Sequence, residues 1–147
     1  MHMIIELATS TVMVLLTVVF HGVGLMALGR VLAVHEARRG GVRPSPVSMD
    51  GAVVTVVLVL GLFVLHGVEI WAYALLFDII GAIGDIREAV YFSTISYGAI
   101  GYGDSAILPQ WKLLGAIEGI NGAILLGWSI AFFVTVMARM MPRRPRR

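Results

Sequence analysis

The chain has 147 residues, of which 59% are hydrophobic and 14% charged, and its mean hydropathy is +0.91. A soluble domain is closer to half apolar and a quarter charged, so this balance excludes an ordinary water-soluble enzyme, a disordered chain and a nucleic-acid-binding tail. Cysteine is absent, which excludes disulfides and thiolate metal sites, and the formal charge of +2 gains meaning only when the charges are placed along the chain.

The first element is an apolar stretch over residues 4–28. A helix needs about 20 such residues to cross about 30 Å of hydrocarbon, so it qualifies as a span. It lacks the basic start of a signal peptide, carries Glu6, and is closed by Arg30 in place of a small-residue cleavage site. It therefore reads as a retained span within an N-terminal unit of residues 1–34. Residues 35–50 read as an irregular basic linker containing Gly40, Gly41, Pro44 and Pro46. A second span follows at 52–77. The apolar piece at 86–96 is too short to cross and reads as re-entrant or interfacial. A third span covers 113–138, and residues 139–147 form a basic tail.

The basic residues predict the topology. Arg30, Arg38, Arg39 and Arg43 lie between spans one and two, and five arginines follow span three, from Arg139 to Arg147. Only Arg87 and Lys112 lie on the other side. The positive-inside rule then places the linker and tail in the cytoplasm and the N-terminus outside. The segment 78–112, with Asp78, Asp85, Glu88 and Asp104, faces outside as well. The basic linker and tail are also suited to anionic lipid. Trp71, Tyr73, Trp111 and Trp128 partly fit an interfacial aromatic belt.

The most informative stretch runs from Tyr91 to Asp104, YFSTISYGAIGYGD. A helix-length piece leads into a glycine-rich loop. Irregular backbone at membrane depth is tolerated only where protein buries it or it lines a water-filled path. Gly101 and Gly103 let successive carbonyls turn toward one axis, where a ring of them replaces the hydration shell of a monovalent cation. The helix before it aims its negative dipole end inward, which favours a cation.

With Ile100-Gly101-Tyr102-Gly103-Asp104, preceded by Phe92-Ser93 and Ser96 and followed by Pro109, Trp111, Glu118 and Gly122, the sequence resembles the pore module of the potassium channel superfamily. The resemblance covers residues 52–137 and is closest to compact prokaryotic members. It implies an all-α membrane protein with a pore domain at 51–138: outer helix 52–77, pore helix 86–97, filter 98–104 and inner helix 111–138. The first span is an addition. Ala99, Ile100, Gly101, Tyr102 and Gly103 would form the ion-binding filter, with Asp104, Ser96 and Tyr91 as its support and mouth. Potassium would be the permeant ion, with no cofactor, no other metal and no nucleic-acid partner. Gly98 and Ala99 stand where the family usually has two threonines, so hydroxyl ligands would be missing from the innermost site. One filter per chain implies a cyclic homotetramer in the cell membrane, because a carbonyl cage needs four.

Polar residues inside the spans need a partner or water. His66 and Glu69 share a face of span two, and Glu118 and Asn121 share one on span three, with Glu69 and Glu118 at similar depth counted from the helix ends. This cluster reads as a structural contact, a proton-sensitive gate or a metal site built from His66, Glu69 and Glu118. His21 reads as a solitary packing or lipid-interface residue. Gly122 is a hinge candidate on the inner helix, where close packing explains the glycines as well. No span carries the arginine repeat of a voltage sensor. Three functions follow: a potassium-selective channel, a weakly selective cation channel lacking the threonine hydroxyls, or a transporter or metal-handling protein using the polar cluster. No nucleophile–base set suggests an enzyme.

Overall fold

In hydrocarbon every backbone polar group must be bonded within its own segment, which leaves long apolar stretches of this kind the helix. A computed structural model of the chain describes residues 2–41, 45, 48–101 and 103–141. Four α-helices follow in order: α1 (His2–Arg38), α2 (Met49–Ile79), α3 (Ile86–Tyr97) and α4 (Lys112–Met140), with a 3-10 turn at Pro109–Trp111 leading into α4. Three helical segments, His2–Arg38, Met49–Ile79 and Pro109–Met140, are long and apolar enough to cross a membrane. The described residues contain no strand.

Local chemistry sets the helix starts. The Ser48 hydroxyl accepts the Gly51 N–H at 3.1 Å ahead of α2, and the Asp85 carboxylate accepts the Glu88 N–H at 3.3 Å ahead of α3. α1 runs on to Arg38, four residues into the stretch expected to be linker, because no glycine or proline stands between Gly29 and Gly40. Residues 42–44, 46 and 47 of that linker and 142–147 of the tail lie outside the described residues.

The contacts define the directions. α1 crosses α2 antiparallel through a reciprocal pair of knobs: Leu65 sits over Gly24, and Leu28 sits over Gly61. α1 runs parallel to α4, with Trp128 against Gly22 and Phe132 against Gly29. α3 packs between α2 and α4. Phe92 meets Phe77 edge-on at 5.5 Å, within a buried group that includes Tyr73, Tyr97, Leu114 and Leu125. A second cluster of Val54, Leu58 and Met140 closes the other end. Large apolar side chains such as Phe63, Val64, Ile120, Ile124 and Ile130 stay exposed along the spans. That surface suits hydrocarbon or other copies of the chain better than water.

Candidate functional site

The loop after α3 begins by using up the carbonyls at the end of that helix. The N–H of Gly98 bonds Thr94 O at 3.1 Å, and that of Ala99 bonds Ser96 O at 2.9 Å. The N–H groups of Ile100 and Gly101 both reach Ile95 O, at 2.9 and 3.2 Å. Four consecutive donors are thus folded back onto α3. The carbonyls of Ala99, Ile100 and Gly101 accept no backbone N–H among the described residues. Three described residues of the loop have positive φ: Ala99 at 55°, Gly101 at 65° and Gly103 at 151°. The alternating hand of Ala99, Ile100 and Gly101 turns their N–H groups to one side and their carbonyls to the other. Glycine adopts this freely, whereas Ala99 does so at a cost on the order of 1–2 kcal/mol. Tyr102 lies outside the described residues.

At the end of the loop, Asp104 pairs with Lys112 at 2.7 Å. The ammonium holds the Asp104 carboxyl below the usual carboxylate range through its hydrogen bond and its charge. Tyr91 projects outward from α3 and is exposed, whereas the buried tyrosine of that helix is Tyr97.

Three glycines of α4 bring it against α3. A Cβ on Gly115 would lie 2.8 Å from the Phe92 ring, one on Gly119 3.1 Å from Ser96 O, and one on Gly122 2.2 Å from Tyr97 O. The hinge candidate Gly122 is therefore a point of backbone contact beneath the filter loop, and α4 runs unbroken through it. Ser96 adds a hydrogen bond from its hydroxyl to Gly115 O at 2.7 Å.

The expected cluster of His66, Glu69 and Glu118 does not form. Tyr73 lies level with Asn121 and His66 level with Ser129, so Glu69 is level with about Leu125 on α4. Glu118 sits about seven residues further along, roughly 10 Å. Instead it meets Ser93 of α3, whose hydroxyl also lies 2.9 Å from Ile70 O, while Glu118 Oε2 is buried with no hydrogen-bond partner among the described residues. Asn121 donates to Thr17 Oγ1 at 2.7 Å and to the Tyr73 hydroxyl at 3.2 Å.

His21 takes the place expected of Glu118. It is fully buried, with Nδ1 2.9 Å from Glu69 Oε1 and Nε2 3.2 Å from Ser129 Oγ. Ser129 Oγ lies 2.9 Å from His66 Nε2, His66 Nδ1 lies 3.0 Å from the Tyr97 hydroxyl, and that hydroxyl donates to Glu69 Oε2. His66 Nδ1 also approaches Glu69 Oε2 at 3.3 Å. Histidines 21 and 66 and Glu69 are the one group of three ligating side chains brought together among the described residues. Each of their polar atoms already has a protein partner.

Sequence reasoning missed His21, Thr17, Tyr97 and Ser129, and it missed Glu6, which accepts the Leu114 N–H at 2.9 Å. A signal for α1 was present. Its buried residues Glu6, Ser10, Met13, Thr17, His21 and Leu25 recur at helical spacing, so its polar groups share one face. A polar stripe on an apolar span marks a face turned to protein.

The sequence profile of the ion channel family matches residues 52–139, which is α2 through α4 and more than half the chain. Nothing among curated proteins and nothing among solved structures matches it. α1 lies outside the matched region. With three helices able to span a membrane and an ion-channel domain formed by two of them and the short helix between, the chain is a multi-pass membrane protein that belongs to the ion channel family.

Proposed function

We propose that the chain forms a passive, potassium-selective channel as a homotetramer. The observation that carries this reading is the loop 98–104. The N–H groups of residues 98–101 are drawn back onto α3, and Ala99 and Gly101 have positive φ, which frees consecutive carbonyls. Ions would shed water into the carbonyls of Ala99, Ile100, Gly101 and Tyr102, arranged fourfold about an axis. One chain supplies one loop, so four chains complete the cage. α3 points its C-terminus at the same place and adds its negative dipole end. The charge distribution supports an external N-terminus and filter mouth, with the linker and tail in the cytoplasm of the cell membrane.

A specific observation favours weak selectivity as a second reading. Ala99 offers a methyl group where a threonine would add a hydroxyl ligand, and it holds a left-handed backbone. The transporter reading loses its ligand set, since Glu118 stands apart from His66 and Glu69.

The test is rubidium uptake into vesicles containing the purified protein and loaded with potassium. Gly101→Ala and Gly103→Ala should abolish uptake, because both positions need φ values that alanine resists. Glu118→Gln should retain it. The reverse pattern would remove the filter from the mechanism.

A further inference from the structure

Five side chains near mid-membrane form a closed loop of hydrogen bonds: Glu69, His21, Ser129, His66 and Tyr97, returning to Glu69. They come from all four helices. The loop uses every side-chain nitrogen and oxygen of its five members: two carboxyl oxygens, four ring nitrogens and two hydroxyls. Five hydrogen bonds require five protons, one in each. A phenol, a serine hydroxyl and two neutral imidazoles supply four, and an ionised Glu69 supplies none. Filling all five contacts therefore takes one proton more than the members carry as a carboxylate and two neutral histidines.

We infer that this ring is a binding site for a single proton. With that proton in place, five conjugate bases share five protons and the ring is electrically neutral. The same count holds whichever way round the bonds run and whether the proton resides on His21, His66 or Glu69. Tyr97 and Ser129 stay neutral and only relay. Removing the proton leaves two lone pairs facing across one contact and a net negative charge in a dry interior. Adding a second sets two hydrogens against each other and leaves a net positive charge. Both states are costly where water is excluded.

Among the described residues no other charge balances the ring. The titratable groups that face it from the surrounding helices are Tyr73 on α2 and Glu118 on α4. The first is bonded to Asn121 and the second to Ser93. Among the described residues no lysine or arginine pairs with its members. His66 is the partly exposed member and, with Ser129, Leu62 and Phe63, lines an open apolar groove of about 280 Å³ between α2 and α4. The output is Tyr97, the last residue of α3, directly before the filter loop. Proton occupancy thus bears on the seat of that loop, and α1 supplies an essential member of the site.

Glu69→Gln provides the test. Its amide donates one proton and accepts another, so it completes all five bonds with no added proton. His66→Gln leaves the count one short. Thermal unfolding of the full-length protein in detergent would be followed from pH 5 to pH 10. The wild type should be most stable at an intermediate pH and lose several degrees toward both extremes. Glu69→Gln should match the wild-type maximum and lose the alkaline decline, while His66→Gln should keep a pH-dependent profile. A flat wild-type curve would overturn the inference. So would a Glu69→Gln protein that keeps the wild-type profile, or one that is destabilised at every pH. These readouts use no ion flux and stand apart from the channel reading.

Discussion

The Glu6 side chain of the first helix accepts the backbone N–H of Leu114, 108 residues away, at 2.9 Å. Leu114 lies in the opening turn of α4, where N–H groups have no partner within the helix. α1 thus supplies, from outside the matched channel domain, a cap for the helix that follows the filter. Glu6→Ala should lower stability by about 0.5–2 kcal/mol, in line with other lost caps. Glu6→Gln, which keeps an acceptor oxygen, should cost less. Thermal unfolding of both variants in detergent checks the order.

The glycines of α4 should rank by the space behind them. Gly122→Ala places a methyl 2.2 Å from the Tyr97 carbonyl, which belongs to backbone and has nowhere to go. It should cost about 1–3 kcal/mol or more and disturb flux. Gly119→Ala, at 3.1 Å from Ser96 O, should be milder, and Gly127→Ala, with nothing within 4 Å, should be neutral or slightly stabilising. If Gly122 acts as a hinge and not as a contact, Gly122→Ala should alter gating while unfolding stays at the wild-type temperature.

The crossing of α1 and α2 offers a compensation test. A Cβ on Gly24 would lie 2.4 Å from the end of the Leu65 side chain. Gly24→Ala should destabilise by about 1–3 kcal/mol through overpacking, and Leu65→Ala by about 2–5 through the cavity it leaves. The double variant should cost less than the sum, since one change makes room for the other. Additive costs would show that the two do not meet.

Asp104 predicts a pH and salt effect at the mouth. Its carboxyl is held below the usual range by Lys112, so the folded protein keeps the pair ionised above that lowered value and loses it as pH falls through it. Lys112→Met should free the carboxylate, return its titration to the ordinary carboxylate range, and raise cation current at low ionic strength by less than about tenfold. Single-channel current against pH should then begin to fall at a higher pH in the variant than in the wild type. The gain should vanish near 1 M salt, where charges are screened within about 3 Å.

These relationships were unequally legible. The three long helices and the short one between them follow from apolar length, because hydrocarbon thickness leaves little choice. The filter loop stands out through its glycines. The polar core was harder. Counting depth from the helix ends set Glu69 and Glu118 side by side, yet the register of α2 on α4 is fixed by Tyr73 with Asn121 and His66 with Ser129. No single helix carries that information. His21 looked solitary for the same reason: its partners, Glu69 and Ser129, lie on other helices. The stripe from Glu6 to Leu25 showed that α1 has a protein-facing side, though not which helices cover it.

Potassium selection is proposed to rest on the freed carbonyls of the loop 98–104. It is tested most directly by the reversal potential of the purified protein in a planar bilayer, with potassium on one side and sodium on the other. A value near the potassium limit is expected, with the carbonyls of Ala99 to Tyr102 sufficing without threonine hydroxyls. Clear current reversing near zero would contradict it and leave a cation channel that does not discriminate.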